Sequence, residues 1–209
     1  MVEFRIEPGR PSRPALARAA GMLREGGVVA YPTDTLYGLA ANPGDAAAIA
    51  QLYRIKGRPV ELAIPLIAAG VDQIESAGGV LSPLARRLAA AWWPGPLTIV
   101  VPAWPGLDPS LHAGRGTVAI RVPDHAVARM LADLCGWPIT STSANVSGAA
   151  ATQDPAVVRS ALGASLDGLI DAGPSPGGAP STIVDVTGGA PRLVRPGAVP
   201  WERVLESLQ

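Results

Sequence analysis

Lysine is nearly missing from this chain. Of its 17 basic residues, Lys56 is the one lysine and the other 16 are arginines. Cysteine is just as scarce: Cys135 stands alone, so no internal disulfide can form, and with two histidines there is no Cys/His set for zinc. Cys135 follows the helical apolar pattern Val127, Met130, Leu131, Leu134, which makes it a core thiol and not a nucleophile. No uninterrupted apolar run is long enough to span a bilayer, and Met1–Arg5 lacks an apolar leader, so a cytoplasmic protein with no membrane partner is expected. Excess charge is lacking too: 17 acidic groups balance the 17 basic ones. That argues against gripping nucleic acid through bulk electrostatics. Also absent are a G-x-G-x-x-G loop, a Walker G-x-x-x-x-G-K-[ST] loop, a G-x-S-x-G elbow and an H-E-x-x-H pair. Dinucleotide, serine-hydrolase and zinc-protease chemistry lose their usual signatures.

What remains is an apolar chain, 48% hydrophobic over 209 residues, enough for one domain spanning 1–209. Amphipathic helices are expected at Ser12–Glu25, closed by Gly26-Gly27, and at Asp45–Ile55, Ser82–Trp92, Ala126–Leu134 and Asp154–Leu162, with a last one from Trp201. Asp124 is a candidate cap for the helix that follows it. Short apolar strands are expected at Val28–Tyr31, Ala63–Ile67, Leu97–Val101, Thr117–Val122, Leu169–Asp171, Thr182–Val186 and Leu193–Val194. Helices and strands alternate while some connections read as hairpins. This gives an α/β (α+β) domain with an open, twisted, mixed sheet flanked by helices.

The polar loops hold the chemistry. Pro32-Thr33-Asp34-Thr35-Leu36-Tyr37-Gly38-Leu39 follows a buried strand, where open sheets receive ligands; its side chains could equally satisfy a local turn. Lys56-Gly57-Arg58-Pro59 places two cations past a helix end, suited to its dipole or to a polyphosphate clamp. Thr140–Gly148 is a run of small hydroxyl residues whose backbone could approach an anion. Arg121 lies inside the apolar strand Thr117–Val122, and burial there would demand an anionic partner. Ser181–Asp185 and Arg195-Pro196-Gly197 add a late hydroxyl and a late cation. A site of cations and hydroxyls suits phosphoryl or nucleotidyl transfer.

Taken in order, these six segments resemble the threonylcarbamoyl-AMP synthase family, the YrdC-like proteins, in its short form. The resemblance implies a YrdC-like fold with a large, positively lined, concave cavity. It implies a nucleotidyltransferase that joins L-threonine, bicarbonate and ATP into L-threonylcarbamoyladenylate and pyrophosphate, with Mg2+ accompanying the ATP. A downstream transferase would then use the adenylate to modify tRNA next to the anticodon. By the same resemblance, Thr35, Arg121, Ser141 and Ser181 would hold threonine. Lys56, Arg58, Thr117, Ser143, Asn145, Ala151 and Arg195 would face ATP, Lys56 and Arg58 being the catalytic cations. The chain departs from the pattern at Val60-Glu61-Leu62, where relatives often carry a polar residue, so a nucleotide contact falls to neither Leu62 nor Glu61 with any certainty of register. Two other readings stand beside this one. One is a carbamoyl-transfer domain of the hydrogenase-maturation type. The other is a non-catalytic module for tRNA or double-stranded RNA, using Arg10, Arg13, Arg18, Arg86 and Arg87.

Overall fold

The computed structural model describes residues 1–7, 9–57 and 59–209. Helix boundaries follow local chemistry. Helix α1 (Arg13–Arg24) has a proline in its first turn, and Gly26 beyond its end adopts φ +84°. Helix α2 (Ala46–Lys56) is capped by Asp45, whose carboxylate accepts from the Ala47 and Ala48 amides, and it stops at Gly57 with φ 54°. The remaining helices are α3 (Val71–Ser76), α4 (Pro83–Trp92), α5 (Ala126–Cys135), α6 (Pro155–Leu162) and α7 (Trp201–Glu206). At α5 the cap expected from Asp124 is absent: the N-cap is His125, and the Asp124 carboxylate instead accepts from Arg129 Nη1 at 3.2 Å.

The strands are β1 (Val2–Arg5), β2 (Val29–Tyr31), β3 (Gly38–Ala40), β4 (Leu66–Ile67), β5 (Leu97–Pro102), β6 (Thr117–Arg121), β7 (Ile139–Thr140), β8 (Thr142–Ser143), β9 (Gly168–Asp171), β10 (Thr182–Asp185) and β11 (Arg192–Arg195). The expected open, mixed sheet is present as two. One has five strands in the order β1-β9-β2-β3-β8, the other six in the order β11-β10-β5-β6-β4-β7. The expected pairing of β5 with β6 is there, antiparallel, with Ile99 opposite Ile120. Strands β1, β3 and β8 were not legible in sequence, being short or broken by polar residues. No helix is long and apolar enough to cross a membrane among the described residues.

Side-chain alternation along the strands sorts residues between core and ligand space. In β2, Val29 and Tyr31 join the cluster under α1 and α5, beside Leu16, Leu23, Leu131 and Cys135. Ala30 faces the other way, into the larger cluster with Leu39, Ile49, Leu52, Leu88 and Ile120. Each fully buried leucine there stabilises the fold by about 1.5–3 kcal/mol. Burial also pushes the Cys135 thiol up to about 12, leaving it an inert core group.

The two sheets meet where β7 passes into β8. Thr140, wholly buried at the edge of the six-stranded sheet, donates its hydroxyl to the Leu39 carbonyl at 3.0 Å and accepts from the Ala41 amide at 2.7 Å. Both partners belong to the β3 region of the other sheet. Replacing the hydroxyl by a methyl (Thr140→Val) preserves volume but strands a buried amide. The expected loss in urea unfolding is about 1–3 kcal/mol, with Thr140→Ser close to wild type; equal stability of all three proteins would contradict this linkage.

Candidate active site between the two sheets

A cavity of about 510 Å³ opens between the sheets. The six-stranded sheet supplies its wall from alternate positions. Thr117, Ala119 and Arg121 of β6 face the cavity, while Val118 and Ile120 face the core. Thr98 and Val100 of β5 and Ile183 of β10 face the same way, with Ser181 just before β10. The five-stranded sheet contributes the loop Thr33–Tyr37, and Ser143 at its edge strand; Ser141 sits at the crossing between sheets. Among the described lining residues there is no Asp or Glu.

Arg121 is 6% exposed at this wall, and its charge is answered within the chain. Its Nη1 donates to both carboxylate oxygens of Asp34, at 2.7 and 2.9 Å. The anionic partner demanded by burial is thus Asp34, and among the described residues the guanidinium's other nitrogens have no protein acceptor. Thr33 shapes the loop that carries Asp34. Its hydroxyl donates to the Leu36 carbonyl at 2.7 Å and accepts from the amides of Thr35 and Leu36. Thr35 is left with its hydroxyl 3.2 Å from that of Thr33, on the cavity side.

The same sheet carries Arg195, on β11. Its Nη2 donates to the Ser181 carbonyl at 2.8 Å and approaches Ser181 Oγ at 3.2 Å, and that hydroxyl lies 2.8 Å from Thr98 Oγ1. Partial burial of the guanidinium, and then the positive charge of Arg121, pull Arg195 below its ordinary value. Two cations therefore repel across one hollow, a field that an anion would relieve. Gly197 permits this arrangement: a Cβ there would sit 2.3 Å from the Pro180 carbonyl oxygen and 2.5 Å from the Thr182 nitrogen. The turn after Arg195 packs directly on the strand holding Ser181 because the residue has no side chain.

The 143–148 loop is pinned from below by Lys56. This residue is 2% exposed, and its ammonium donates to the carbonyls of Ser143 (2.6 Å) and Asn145 (2.9 Å) and to Asn145 Oδ1 (3.2 Å). The Ser147 amide donates in turn to the Lys56 carbonyl at 2.7 Å. Asn145 also accepts from Ser143 Oγ at 2.5 Å and donates to the Ala149 carbonyl at 2.6 Å.

Of the residues expected in a site, Thr35, Thr117, Arg121, Ser141, Ser143, Ala151, Ser181 and Arg195 line this one cavity. Lys56 and Asn145 do not line it. Their polar atoms engage the loop that presents Ser143, which Lys56 supports from beneath. Arg58, the other expected cation, lies outside the described residues. Leu62 and Glu61 are not on the wall either, whereas Ala63 is. Two residues were missed. Thr98 is the one polar residue in Leu97-Thr98-Ile99-Val100-Val101, the same signal that singled out Arg121. Arg115 lies between Gly114 and Gly116 and reads as an ordinary turn residue. Four of the five arginines offered as an RNA face are engaged locally: Arg10 with Glu7, Arg86 with Glu75, Arg87 with the Leu208 carbonyl, and Arg18 over the Phe4 ring.

Comparison with known proteins agrees with this architecture. The family model for Sua5/yciO/yrdC, described as "Telomere recombination", matches residues 21–197, and the chain belongs to that family. A threonylcarbamoyl-AMP synthase of Bacillus subtilis is 38% identical over 192 residues, 91% of this chain and 56% of the relative. The chain thus spans about half the length of that relative. A putative threonylcarbamoyl-AMP synthase of Mycobacterium tuberculosis is 40% identical over 97% of this chain and 92% of its own length. Pyrococcus abyssi Sua5, solved in complex with L-threonine, superposes with a TM-score of 0.93 at 33% identity, covering 100% of this chain and 61% of that one.

The Asp34–Arg121 pair is the costliest element to break, because each side chain is largely shielded, at 12% and 7% exposure. Asp34→Ala leaves the guanidinium uncompensated and is expected to destabilise the protein by about 3–5 kcal/mol in urea unfolding. Asp34→Asn keeps an acceptor and should lose less; an unchanged midpoint for the alanine variant would show that solvent, not Asp34, satisfies Arg121.

Proposed function

We propose that this chain is a threonylcarbamoyl-AMP synthase, forming L-threonylcarbamoyladenylate and pyrophosphate from L-threonine, bicarbonate and ATP. The observation that carries the reading is the convergence of Arg121 and Arg195 with the Thr35, Ser141, Ser143, Ser181 and Thr117 hydroxyls in one cavity whose described lining has no Asp or Glu. Such a cavity suits a zwitterion beside a polyphosphate. The names carried by the relatives, and the threonine held by Pyrococcus abyssi Sua5, support the same assignment.

In this reading the threonine amine combines with bicarbonate to give a carbamate, the new C–N bond replacing a C–O bond whose oxygen leaves as water. A carbamate oxygen then forms a bond to the α-phosphorus of ATP as the bond to the bridging oxygen breaks, and the electron pair leaves with pyrophosphate. No side-chain nucleophile is required. Arg121, oriented by Asp34, takes the threonine carboxylate in a charge-assisted fork, with Thr35, Ser141 and Ser181 completing the amino-acid end. Arg195, Thr117 and Ser143 face the nucleotide, with a backbone contact from Ala151. Lys56 and Asn145 fix the Ser143 loop on the nucleotide side, and Arg58, two residues after Lys56, is a phosphate-side cation. The chain's task is to align two anionic reactants and to neutralise their repulsion.

Magnesium fits this wall as an ion carried by the triphosphate. No group of three or more His, Cys, Asp or Glu able to hold a metal exists among the described residues, and the lining hydroxyls on the nucleotide side, Thr117 and Ser143, would be the protein oxygens offered to it. It would supply charge neutralisation on the phosphates. The product would pass to a separate tRNA-modifying transferase acting beside the anticodon, which places the enzyme in the cytoplasm.

Mass spectrometry of mixtures lacking ATP, bicarbonate or threonine in turn tests the reading: the carbamoyl adenylate is expected from the complete mixture alone. Its appearance without threonine, or its absence throughout, would overturn the assignment. Lys56→Ala, which releases the Ser143 loop, is expected to lower kcat/KM by the equivalent of about 2–4 kcal/mol, the size of one strong electrostatic contribution. Wild-type kcat/KM in that variant would remove Lys56 from the site.

A further inference from the structure

A third arginine borders the cavity, and the reading above leaves it without a task. Arg115 lines the cavity two residues before β6. We propose that Arg115 binds the β,γ-phosphate end of the triphosphate and holds the departing pyrophosphate, an assignment that rests on the reading of the cavity as a nucleotidyl-transfer site.

Sheet register locates the three cations. Arg195 pairs with Ile183, Ile183 with Thr98 of β5, and β5 pairs with β6 so that Ile99 lies opposite Ile120. Arg195, Thr98 and Arg121 therefore fall near one row across the sheet, at one end of the cavity. Thr117 lies roughly 13 Å from Arg121 along β6, at strand rise per residue, and Arg115 is farther still in the same direction. Between them the wall is Ala119, whose methyl leaves the path open. A ligand whose threonine carboxylate is held at Arg121 must run along β6 to reach Arg115.

Charge decides which end of the nucleotide arrives there. Among the described residues Arg115 has no carboxylate within ion-pair distance; its Nη2 donates only to the Glu61 carbonyl, at 3.3 Å. That places it against the segment that follows Arg58, the phosphate-side cation of the reading above. A neutral base can stack on a guanidinium, but two phosphates gain charge-assisted bonds to its spare donors, which are the stronger contacts. The flanking Gly114 and Gly116, at φ 68° and 67°, leave the backbone around Arg115 without side-chain obstruction, so the arginine can move from the Glu61 carbonyl to an arriving phosphate. As the bridging oxygen leaves the α-phosphorus it gains negative charge, and Arg115 is placed to neutralise it.

Calorimetric titration of pyrophosphate, tripolyphosphate and AMP into wild type, Arg115→Gln and Arg115→Lys tests this. Pyrophosphate and tripolyphosphate are expected to weaken about ten-fold or more in the glutamine variant and partly recover with lysine, as for loss of a charged hydrogen bond. AMP should bind the three proteins alike, which also shows that the site is intact. Undiminished pyrophosphate binding in Arg115→Gln, an equal loss for AMP, or no pyrophosphate binding by wild type would each overturn the proposal. If pyrophosphate binding depends on Arg115 but no threonylcarbamoyl adenylate forms, the phosphate assignment stands and the synthase reading falls.

Discussion

The structure turns on one short crossing. Ile139 and Thr140 belong to the six-stranded sheet, Thr142 and Ser143 to the five-stranded sheet, and Ser141 is the step between them. The step is fastened by backbone bonds on both sides: the Ser141 amide donates to the Pro65 carbonyl at 2.8 Å and the Ala144 amide to the Tyr37 carbonyl at 2.8 Å. With the Thr140 hydroxyl bridging to Leu39 and Ala41, two sheets that would otherwise slide are hinged along one edge and held apart beyond it. The cavity is the space that this divergence leaves, and the hydroxyl-rich loop lines it because that loop is the hinge.

A hollow built this way would fill with apolar side chains if its walls allowed it. They do not, because the alternation of β5 and β6 directs Thr98, Thr117, Ala119 and Arg121 inward to it. The acidic partner of Arg121 approaches from the loop of the other sheet and takes one guanidinium nitrogen, so the cation is held in place without being fully consumed. Arg195 is fixed by a carbonyl and a hydroxyl instead of a carboxylate, which leaves the cavity with net positive character. A chain of zero formal charge thus concentrates its positive field in one place. That local field, not the overall balance, is what bears on a polyphosphate.

Much of this was readable from sequence because it rested on short-range rules. Asp45 capping α2 and the apolar alternation of β5 and β6 need no knowledge of distant residues. Arg121 announced itself as a charge inside an apolar strand, and Thr98 would have done so under the same test. What stayed hidden was decided by tertiary contact. Nothing local distinguishes β3 or β8, at three and two residues, from loop; they become strands by pairing with each other across Gly38 and Ser143. Lys56 stood out as the one lysine, set beside Arg58 past a helix end, but its bonds to carbonyls 87 and 89 positions away in the chain could not be read locally. Asp124 is not the cap because α5 starts at Ala126, which puts His125 at the N-cap and leaves the Asp124 carboxylate to Arg129.

The central claim is that one cavity between the sheets houses an amino-acid carboxylate at Arg121 and phosphates along β6. It is tested most directly by a crystal structure of this chain with L-threonine and a non-hydrolysable ATP analogue. The account predicts both ligands in that cavity, with the carboxylate on Arg121 and Asp34 still holding Nη1. Ligands seated elsewhere, or an Arg121 that contacts neither, would contradict it.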